Sequence, residues 1–203
     1  MHAAERRKAI VDAAVCLFAE RGFRGTTTRD IAASVGVSEP VLYQHFRTKG
    51  DLYRAILEAK AREGSEKTIA ALECYSRSSD DRGFFTQLAT LILDQYAKDP
   101  DFMRLLFHSA LEGSELSEYF FRHYVQCLHK LVTGYISRRT RARAFRKVDP
   151  MLACRAFIGM AVQQSMAELI FHRKKIRMSR ARMAASLAEV FLHGIAGSRN
   201  CKS

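Results

Sequence analysis

Residues 22–49 read GFRGTTTRDIAASVGVSEPVLYQHFRTK, and they carry the clearest structural signals in the first part of the chain. Thr27 is a good helix N-cap, and an acidic residue three positions on gives the spacing of a capping box. Gly36 follows an apolar stripe at helical spacing and suits a turn with left-handed backbone. Ser38 and Thr48 can cap two further helices. The stretch therefore predicts two short helices joined by a glycine turn, and the start of a third helix.

Two helices joined in this way form a helix-turn-helix, whose second helix is built to enter the major groove of DNA. Leu42 and Phe46, four residues apart, are expected to face inward. Short hydroxyls, backbone N–H groups and cations suit phosphate oxygens, whereas Gln44 can pair with adenine and an apolar side chain such as Val41 can touch the thymine methyl. The predicted DNA-contacting residues are Thr26, Thr27, Thr28, Ser38, Glu39, Pro40, Val41, Tyr43, Gln44, His45 and Lys49.

Residues 6–55 resemble the TetR (TetR/AcrR) family of transcriptional regulators. The motifs that carry the resemblance are AIVDAAVCLFAERGF (Ala9–Phe23), the Thr-rich helix start with its D-I-A core (Thr26–Ala32), Gly36-Val37-Ser38, Leu42-Tyr43-Gln44-His45-Phe46 and Lys49-Gly50-Asp51-Leu52. Two features depart from the family pattern: Glu39-Pro40 at the start of the recognition helix, and Gly50 early in the fourth helix. Both bear on the operator sequence rather than on whether DNA is bound.

The resemblance implies an all-α chain. Residues 1–50 are expected to form a tri-helical helix-turn-helix DNA-binding domain, and residues 51–203 a larger helical ligand-binding and dimerisation domain. The function it implies is a ligand-responsive repressor that binds a palindromic double-stranded DNA operator as a homodimer and is released by a hydrophobic small molecule. A transcriptional activator of the same fold and a basic helical adaptor protein are the alternatives.

An enzyme is not expected, because the sequence has no Gly-rich phosphate loop, serine elbow, HExxH motif or paired cysteine ligands. His108, His123 and Cys127 could suggest a metal site, but they have no further spaced partners. We therefore expect neither a metal nor a cofactor.

The net charge of +12 favours a polyanionic partner. Residues 1–50 carry eight Lys/Arg and five Asp/Glu, so the helix-turn-helix stretch supplies only +3 of this charge. Two basic clusters, within residues 138–147 and 173–182, lie between apolar helical stretches. They are either solvated loop charges or a second contact surface for an acidic partner or distal DNA.

The five cysteines have no paired spacing, and their odd number without a signal peptide indicates a reducing, cytoplasmic location. Cys16, Cys127 and Cys154 are expected to be small buried residues on apolar helical faces. The longest uncharged, mainly apolar run, residues 156–167, is about half of a membrane span, so no membrane association is expected.

Helical periodicity continues almost to the end of the chain, and no strand is expected. Beyond the motif, helices are predicted near 65–75, 84–97, 100–112, 115–139, 149–172 and 179–197, with a break over 76–83. The helix at 115–139 is apolar on two faces, so one face can pack in a core while the other lines a cavity.

In the family the effector pocket lies among the middle helices, and the last two long helices pair with their copies in a dimer. Aromatic residues and methionines suit flat or flexible apolar ligands, although ordinary core packing is the alternative for each. The predicted ligand-binding residues are Phe84, Leu88, Tyr96, Phe102, Met103, Phe107, Tyr119, Phe120, Tyr124 and Phe157. The predicted dimer-interface residues are Phe157, Ile158, Met166, Leu169, Ile170, Leu187, Phe191 and Ile195.

Overall fold

The computed structural model describes residues 3–113, 115–169, 171 and 176–195, with the side chains of 60–69, 115–116, 123–124 and 195 left out. These residues form α-helices and no β-strand, which confirms the all-α prediction. The helices are α1 (Ala3–Gly25), α2 (Thr28–Ser34), α3 (Glu39–His45), α4 (Lys49–Ser78), α5 (Asp81–Lys98), α6 (Pro100–Leu111), α7 (Glu115–Phe120), α8 (Gln126–Arg141), α9 (Pro150–Leu169) and α10 (Arg180–Ile195). A π-helical turn, Phe121–Val125, joins α7 to α8.

The helices pack into two compact units. The first unit comprises Met1–Glu63 and Asp99–His123, and the second comprises Gly64–Lys98 and Tyr124–Ser203. This division follows packing within each unit. The functional boundary expected after residue 50 stays a prediction.

The first unit is built on α1, which packs against α2 and α6. Three aromatic rings join its core: the Phe18 ring lies 5.7 Å from Phe23 and 5.1 Å from Tyr53, centroid to centroid. The Tyr53 hydroxyl donates to the carbonyl oxygen of Leu105 on α6 at 3.2 Å. Burial raises the pKa of Tyr53 to about 12. The helix α2 therefore packs against a helix whose other contacts include this aromatic cluster.

The turn between α2 and α3 has the predicted chemistry. Thr27 and Asp30 form a capping box in which each side chain accepts from the backbone N–H of the other. Gly36 has a φ of +70°, the left-handed conformation expected of it. Ser38 occupies the N-cap position of α3, but within the described residues its hydroxyl makes no capping bond. Thr48 does cap α4, since its hydroxyl accepts from the backbone N–H of Asp51 at 3.0 Å.

Two helix boundaries differ from those predicted. The separate helix expected at 65–75 is part of α4, which runs unbroken from Lys49 to Ser78. The chain turns at Ser79, whose φ is +55°. The predicted helix at 115–139 is divided by the π-helical turn, so α7 and α8 do not share one regular hydrogen-bonding pattern.

The second unit encloses a core rich in phenylalanine. Its α5 packs against α9 and α10, and α8 packs against α9. The ring of Phe85 lies 4.8 Å from the rings of both Phe157 and Phe191. Phe84 stacks on Tyr135 with centroids 3.9 Å apart. Ring pairs in such geometries add to the free energy gained from burial alone.

A part-buried polar network joins the start of α5 to α8. Arg139 donates two hydrogen bonds to the Asp81 carboxylate, each 2.8 Å long, and the Tyr135 hydroxyl donates to the same carboxylate at 2.5 Å. Less than a quarter of the Arg139 and Asp81 side chains is exposed. Desolvation, followed by the Asp81 contact, raises the pKa of Tyr135. The Asp81 carboxylate thus accepts hydrogen bonds from both the Arg139 guanidinium and the Tyr135 hydroxyl.

Replacing Asp81 with alanine is expected to destabilise the protein by about 2–3 kcal/mol, because it leaves a part-buried guanidinium and a phenol unpartnered. Asp94→Ala is the control: Asp94 pairs with Arg180 at 3.0 Å, but both side chains are more than half exposed. Its effect should stay within about 0.5 kcal/mol. Urea unfolding followed by circular dichroism measures both. Equal effects would show that the network contributes no more than a surface ion pair.

The cysteine prediction is right for one residue and wrong for two. Cys154 is buried, and desolvation raises the pKa of its thiol to about 11. Cys16 and Cys127 are exposed, because the faces of α1 and α8 that carry them are not the faces that pack. None of the helices in the described part of the chain has the length and hydrophobicity to cross a membrane.

Candidate nucleic-acid interface

The surface formed by α2, the Gly36 turn and α3 carries nearly all the side chains predicted to contact DNA. Leu42 and Phe46 are buried beneath α3, as predicted, and hold that helix against the rest of the first unit. The predicted residues exposed on this surface are Thr27, Ser38, Pro40, Tyr43 and Gln44, and the half-buried ones are Thr28, Glu39, Val41 and His45. Lys49, the first residue of α4, is also half-buried. The surface is therefore rich in hydrogen-bonding groups over an apolar support.

A hydrogen-bonded group links the starts of α2 and α3. The Thr28 hydroxyl donates to Oε1 of Glu39 at 2.7 Å and lies 3.2 Å from the hydroxyl of Tyr43. Oε2 of Glu39 lies 3.8 Å from Nε of Arg29. These contacts fix the orientation of Tyr43 and Glu39 on the surface of α3.

Two of the predicted residues use their polar groups within the first unit. Thr26 is fully buried, and its hydroxyl donates to the carbonyl oxygens of Leu17 and Gly22. The Lys49 ammonium donates to the carbonyl oxygens of Phe23 and Thr26, at 2.7 and 2.9 Å. It also lies 4.2 Å from the centroid of the Phe23 ring. Burial lowers the pKa of Lys49. Both side chains hold the turn that leads into α2.

Exposed arginines around this surface were not among the predicted residues. The Arg29 side chain on α2 is 85% exposed, and Arg24 and Arg47 are exposed beside the ends of α1 and α3. Guanidinium groups pair with phosphate in two-pronged geometry. The sequence shows these arginines close to the starts of the short helices. The prediction was based instead on the capping residues and the family motif, which favour hydroxyl groups.

The residues predicted to line a ligand pocket divide between the two units. Phe84, Leu88 and Phe157 are fully buried in the core of the second unit. Tyr96, in the same unit, is half-buried, and burial raises its pKa to about 12. The first unit holds Phe102, Met103, Phe107, Tyr119 and Phe120. The Tyr124 side chain lies outside the described residues.

Contacts inside the first unit account for three of these side chains. The Phe102 and Phe120 rings are 6.0 Å apart, and the Tyr119 hydroxyl donates to Oε1 of Glu58 at 3.3 Å. No three His, Cys, Asp or Glu side chains converge as metal ligands in the part of the chain that is described, which leaves out the His123 side chain.

The residues predicted for a dimer interface fall on different sides of α9 and α10. Phe157 and Phe191 are buried in their own chain, 5.0 Å apart between ring centroids. Ile158, Met166, Leu169 and Leu187 are half-buried, while Ile170 and the Ile195 side chain lie outside the described residues. Two further apolar side chains of these helices are strongly exposed: Leu152 at 70% and Val190 at 65%.

Two arginines of the basic cluster within residues 138–147 make hydrogen bonds within the chain. Arg139 binds Asp81, and Arg138 donates to the carbonyl oxygen and hydroxyl of Ser76. The remaining members, Arg141, Arg143, Arg146 and Lys147, are exposed. In the second cluster, residues 173–175 lie outside the described part, and Arg180 pairs with Asp94.

Comparison with known proteins places both parts of the chain in one family. The model of the bacterial regulatory proteins of the tetR family matches residues 10–56. The model of the C-terminal domain of AefR-like transcriptional repressors matches residues 82–194, more than half of the chain.

Individual relatives show the same likeness. The chain is 31% identical over 105 residues, 52% of its length, to the transcriptional activator FasR of Mycolicibacterium smegmatis. It is 48% identical over 52 residues, 26% of its length, to the transcriptional repressor KstR2 of Rhodococcus jostii. These alignments span only 47% and 26% of the relatives' own lengths.

A solved structure covers nearly the whole fold. The fatty acid degradation regulator FadR from Bacillus halodurans superposes with a TM-score of 0.69, over 92% of this chain and 98% of its own, at 17% identity. Identity at that level supports the fold alone. The helix-turn-helix surface, the two matching family models and the all-α fold agree, and the chain belongs to the TetR family of transcriptional regulators.

Proposed function

We propose that the chain is a repressor that binds a palindromic DNA operator as a homodimer and is released by a hydrophobic small molecule. The observation that carries this proposal is the surface of α3, where Tyr43 and Gln44 stand exposed over the buried Leu42 and Phe46. A helix held in this way can enter a major groove without disturbing its own packing. The domain division of the proposal is residues 1–50 for DNA binding and 51–203 for effector binding and dimerisation.

The side chains of this surface divide into two roles. Gln44 offers both a donor and an acceptor, the pattern that pairs with adenine in the major groove. Tyr43 and the arginines at positions 29 and 47 reach outward as phosphate contacts, which fix the register of the protein on the duplex. We retain Lys49 as a group that supports the surface, because the carbonyls of Phe23 and Thr26 already accept from its ammonium.

Dimerisation supplies the affinity that one short helix lacks. Two half-sites one helical turn apart, read by two copies of α3, multiply weak contacts. The outward face of α9 carries Leu152, Gly159 and Met166 at intervals of seven residues, and Val190 is exposed on α10. These residues, with the half-buried Ile158, Leu169 and Leu187, are the interface we propose. Phe157 and Phe191 contribute to it by supporting α9 and α10 from inside.

Repression is supported by the relatives, and an apolar effector by the buried aromatic side chains. The C-terminal model is that of AefR-like repressors, and KstR2 is named as a repressor, although FasR is named as an activator. FadR, which supports the fold alone, is named as a regulator of fatty acid degradation. The aromatic side chains buried in the second unit suit an acyl or aromatic compound. The cytoplasm is the location we propose for such a regulator.

The proposal is tested by selecting bound sequences from a random pool of duplex DNA with the purified protein. We expect an enriched palindrome with half-sites about one helical turn apart. Gln44→Ala should relax base preference at one position of each half-site and leave the other positions unchanged.

Tyr43→Phe is the control for that selection. It removes one hydroxyl from a phosphate contact, so it should weaken binding to all sequences by a similar factor. If the wild-type protein enriched no sequence, the repressor function would be overturned. If Gln44→Ala kept the wild-type preference at every position, Gln44 would not be a base-reading residue.

A further inference from the structure

Glu39 places a negative charge on a surface whose partner is a polyanion. It is the first residue of α3, and one third of its side chain is exposed. A carboxylate facing the phosphate backbone would oppose binding. A carboxylate at this position can favour DNA binding when it meets hydrogen-bond donors at the base edges instead of phosphate oxygens.

The chemistry of the major groove restricts which base such a carboxylate can meet. Guanine presents two acceptors, thymine presents an acceptor and a methyl group, and adenine presents a donor beside an acceptor. Cytosine presents its N4 amino donor without a neighbouring acceptor on the same base. An ionised carboxylate has only acceptors, so cytosine is the base it pairs with and the other three are disfavoured.

The structure holds this carboxylate in a fixed orientation. Thr28 donates to Oε1 at 2.7 Å, and Arg29 lies 3.8 Å from Oε2. A carboxylate offers about four acceptor sites, so one bond from Thr28 leaves others for a base. Because Thr28 belongs to α2, the orientation of Glu39 is set by a neighbouring helix before DNA arrives, which lowers the entropic cost of the contact.

We propose that Glu39 is a specificity-determining residue that selects cytosine at one symmetric position of the operator half-site, oriented for that role by Thr28. This inference rests on the proposed DNA-reading function of α3. It differs from the role of Gln44, because it concerns the start of the helix and a base that presents a donor without a neighbouring acceptor.

The test uses the full-length protein and the operator obtained by selection. Selection is repeated with Glu39→Ala and Glu39→Gln. We expect Glu39→Ala to lose a cytosine preference at one position per half-site, and Glu39→Gln to move that position toward adenine. Replacing that cytosine by a pyrimidin-2-one nucleotide, which lacks the amino group, should weaken wild-type binding about tenfold or more and leave Glu39→Ala unaffected.

A second readout separates base reading from a purely structural role. Removing a negative charge should leave binding to random-sequence DNA unchanged or slightly tighter, while binding to the operator weakens. A structural role would weaken both together. Thr28→Val, which keeps the shape of Thr28 and removes the hydroxyl, should reduce the cytosine preference without shifting it to another base.

Two results would overturn the inference. One is an unchanged preference at all positions for Glu39→Ala; the other is an equal loss of operator and random-sequence binding. If the wild-type protein itself selected no sequence, the proposed function would fail and this inference with it. A wild-type palindrome with no Glu39-dependent position would leave the proposed function standing and remove only the role of Glu39.

Discussion

Replacing Gly22 with alanine is expected to destabilise the first unit by about 2–3 kcal/mol, because Gly22 has φ +72° and ψ 173°, a conformation essentially confined to glycine. The added Cβ would also lie 2.5 Å from Oε1 of Glu112. The Glu112 carboxylate can rotate away, so the backbone carries most of the cost. Amide exchange in α1 and α6 should accelerate by about 30-fold or more.

DNA binding is also expected to weaken in Gly22→Ala, because the turn after Gly22 is held by a hydrogen bond to the Gly22 backbone carbonyl. The carbonyl of Gly22 accepts from the buried Thr26 hydroxyl, and Lys49 then donates to the carbonyls of Phe23 and Thr26. A shift of this turn displaces the start of α2 from the position that α3 packs against. Since contact groups must be held within about half an ångström, we expect operator affinity to fall at least about tenfold.

Gly25→Ala is the matched control, three residues further along the same helix. Gly25 has no left-handed backbone, and the nearest side-chain atom to its added Cβ, from Arg21, would be 3.4 Å away. Alanine there should leave stability unchanged or raise it by less than about 1 kcal/mol. If Gly22→Ala behaved like Gly25→Ala, the non-helical backbone at Gly22 would carry no strain and the turn would be positioned by its hydrogen bonds alone.

The local features of the helix-turn-helix could be predicted from the sequence because they depend on neighbouring residues. The capping box of Thr27 and Asp30, the left-handed Gly36 and the cap at Thr48 each involve residues within a few positions. Leu42 and Phe46 were correctly placed inside because their four-residue spacing puts them on the same side of a helix.

The role of Lys49 could not be predicted in this way. Its ammonium binds carbonyls 23 and 26 positions earlier, and only the folded chain brings these groups together. A lysine at the start of a helix that follows a DNA-reading helix was interpreted as a phosphate contact. The same limit applies to Thr26, whose buried hydroxyl donates to Leu17 nine residues earlier.

The apolar helices of the second unit posed a different difficulty. On α9, apolar and small residues occur on every side, so periodicity could not tell Phe157, which packs in the core, from Leu152, which is exposed. The sequence also did not show that the predicted helix 65–75 continues α4. A single Gly64 in a stretch of helix-forming residues weakens a helix by only about 1 kcal/mol and does not end it.

The second large effect is expected from substitutions on the exposed face of α9 and α10. Leu152, at 70% exposure, and Val190, at 65%, are large apolar groups on the outer sides of adjacent helices in the second unit. Exposed apolar groups that form a contiguous patch mark contact surfaces, and we propose that these two residues belong to one. Gly159, seven residues from Leu152, presents no side chain there and so permits close approach of another helix.

We expect Leu152→Glu combined with Val190→Glu to convert the proposed homodimer into a monomer. Each carboxylate would be buried against its copy across a two-fold axis, where like charges repel and desolvation is costly. Loss of the second half-site contact should then lower apparent operator affinity by a factor of about 10²–10⁴. Sedimentation gives the oligomeric state, and fluorescence anisotropy with labelled operator gives the affinity.

Leu111→Glu is the matched control, because Leu111 is 87% exposed and lies on α6 rather than on the proposed interface. It should leave both the dimer and operator affinity unchanged, and circular dichroism should show the same helix content in all variants. A double variant that stayed dimeric would move the interface to another surface. A monomeric variant that kept full operator affinity would show that one copy of α3 is sufficient for binding. A monomer cannot contact two half-sites at once.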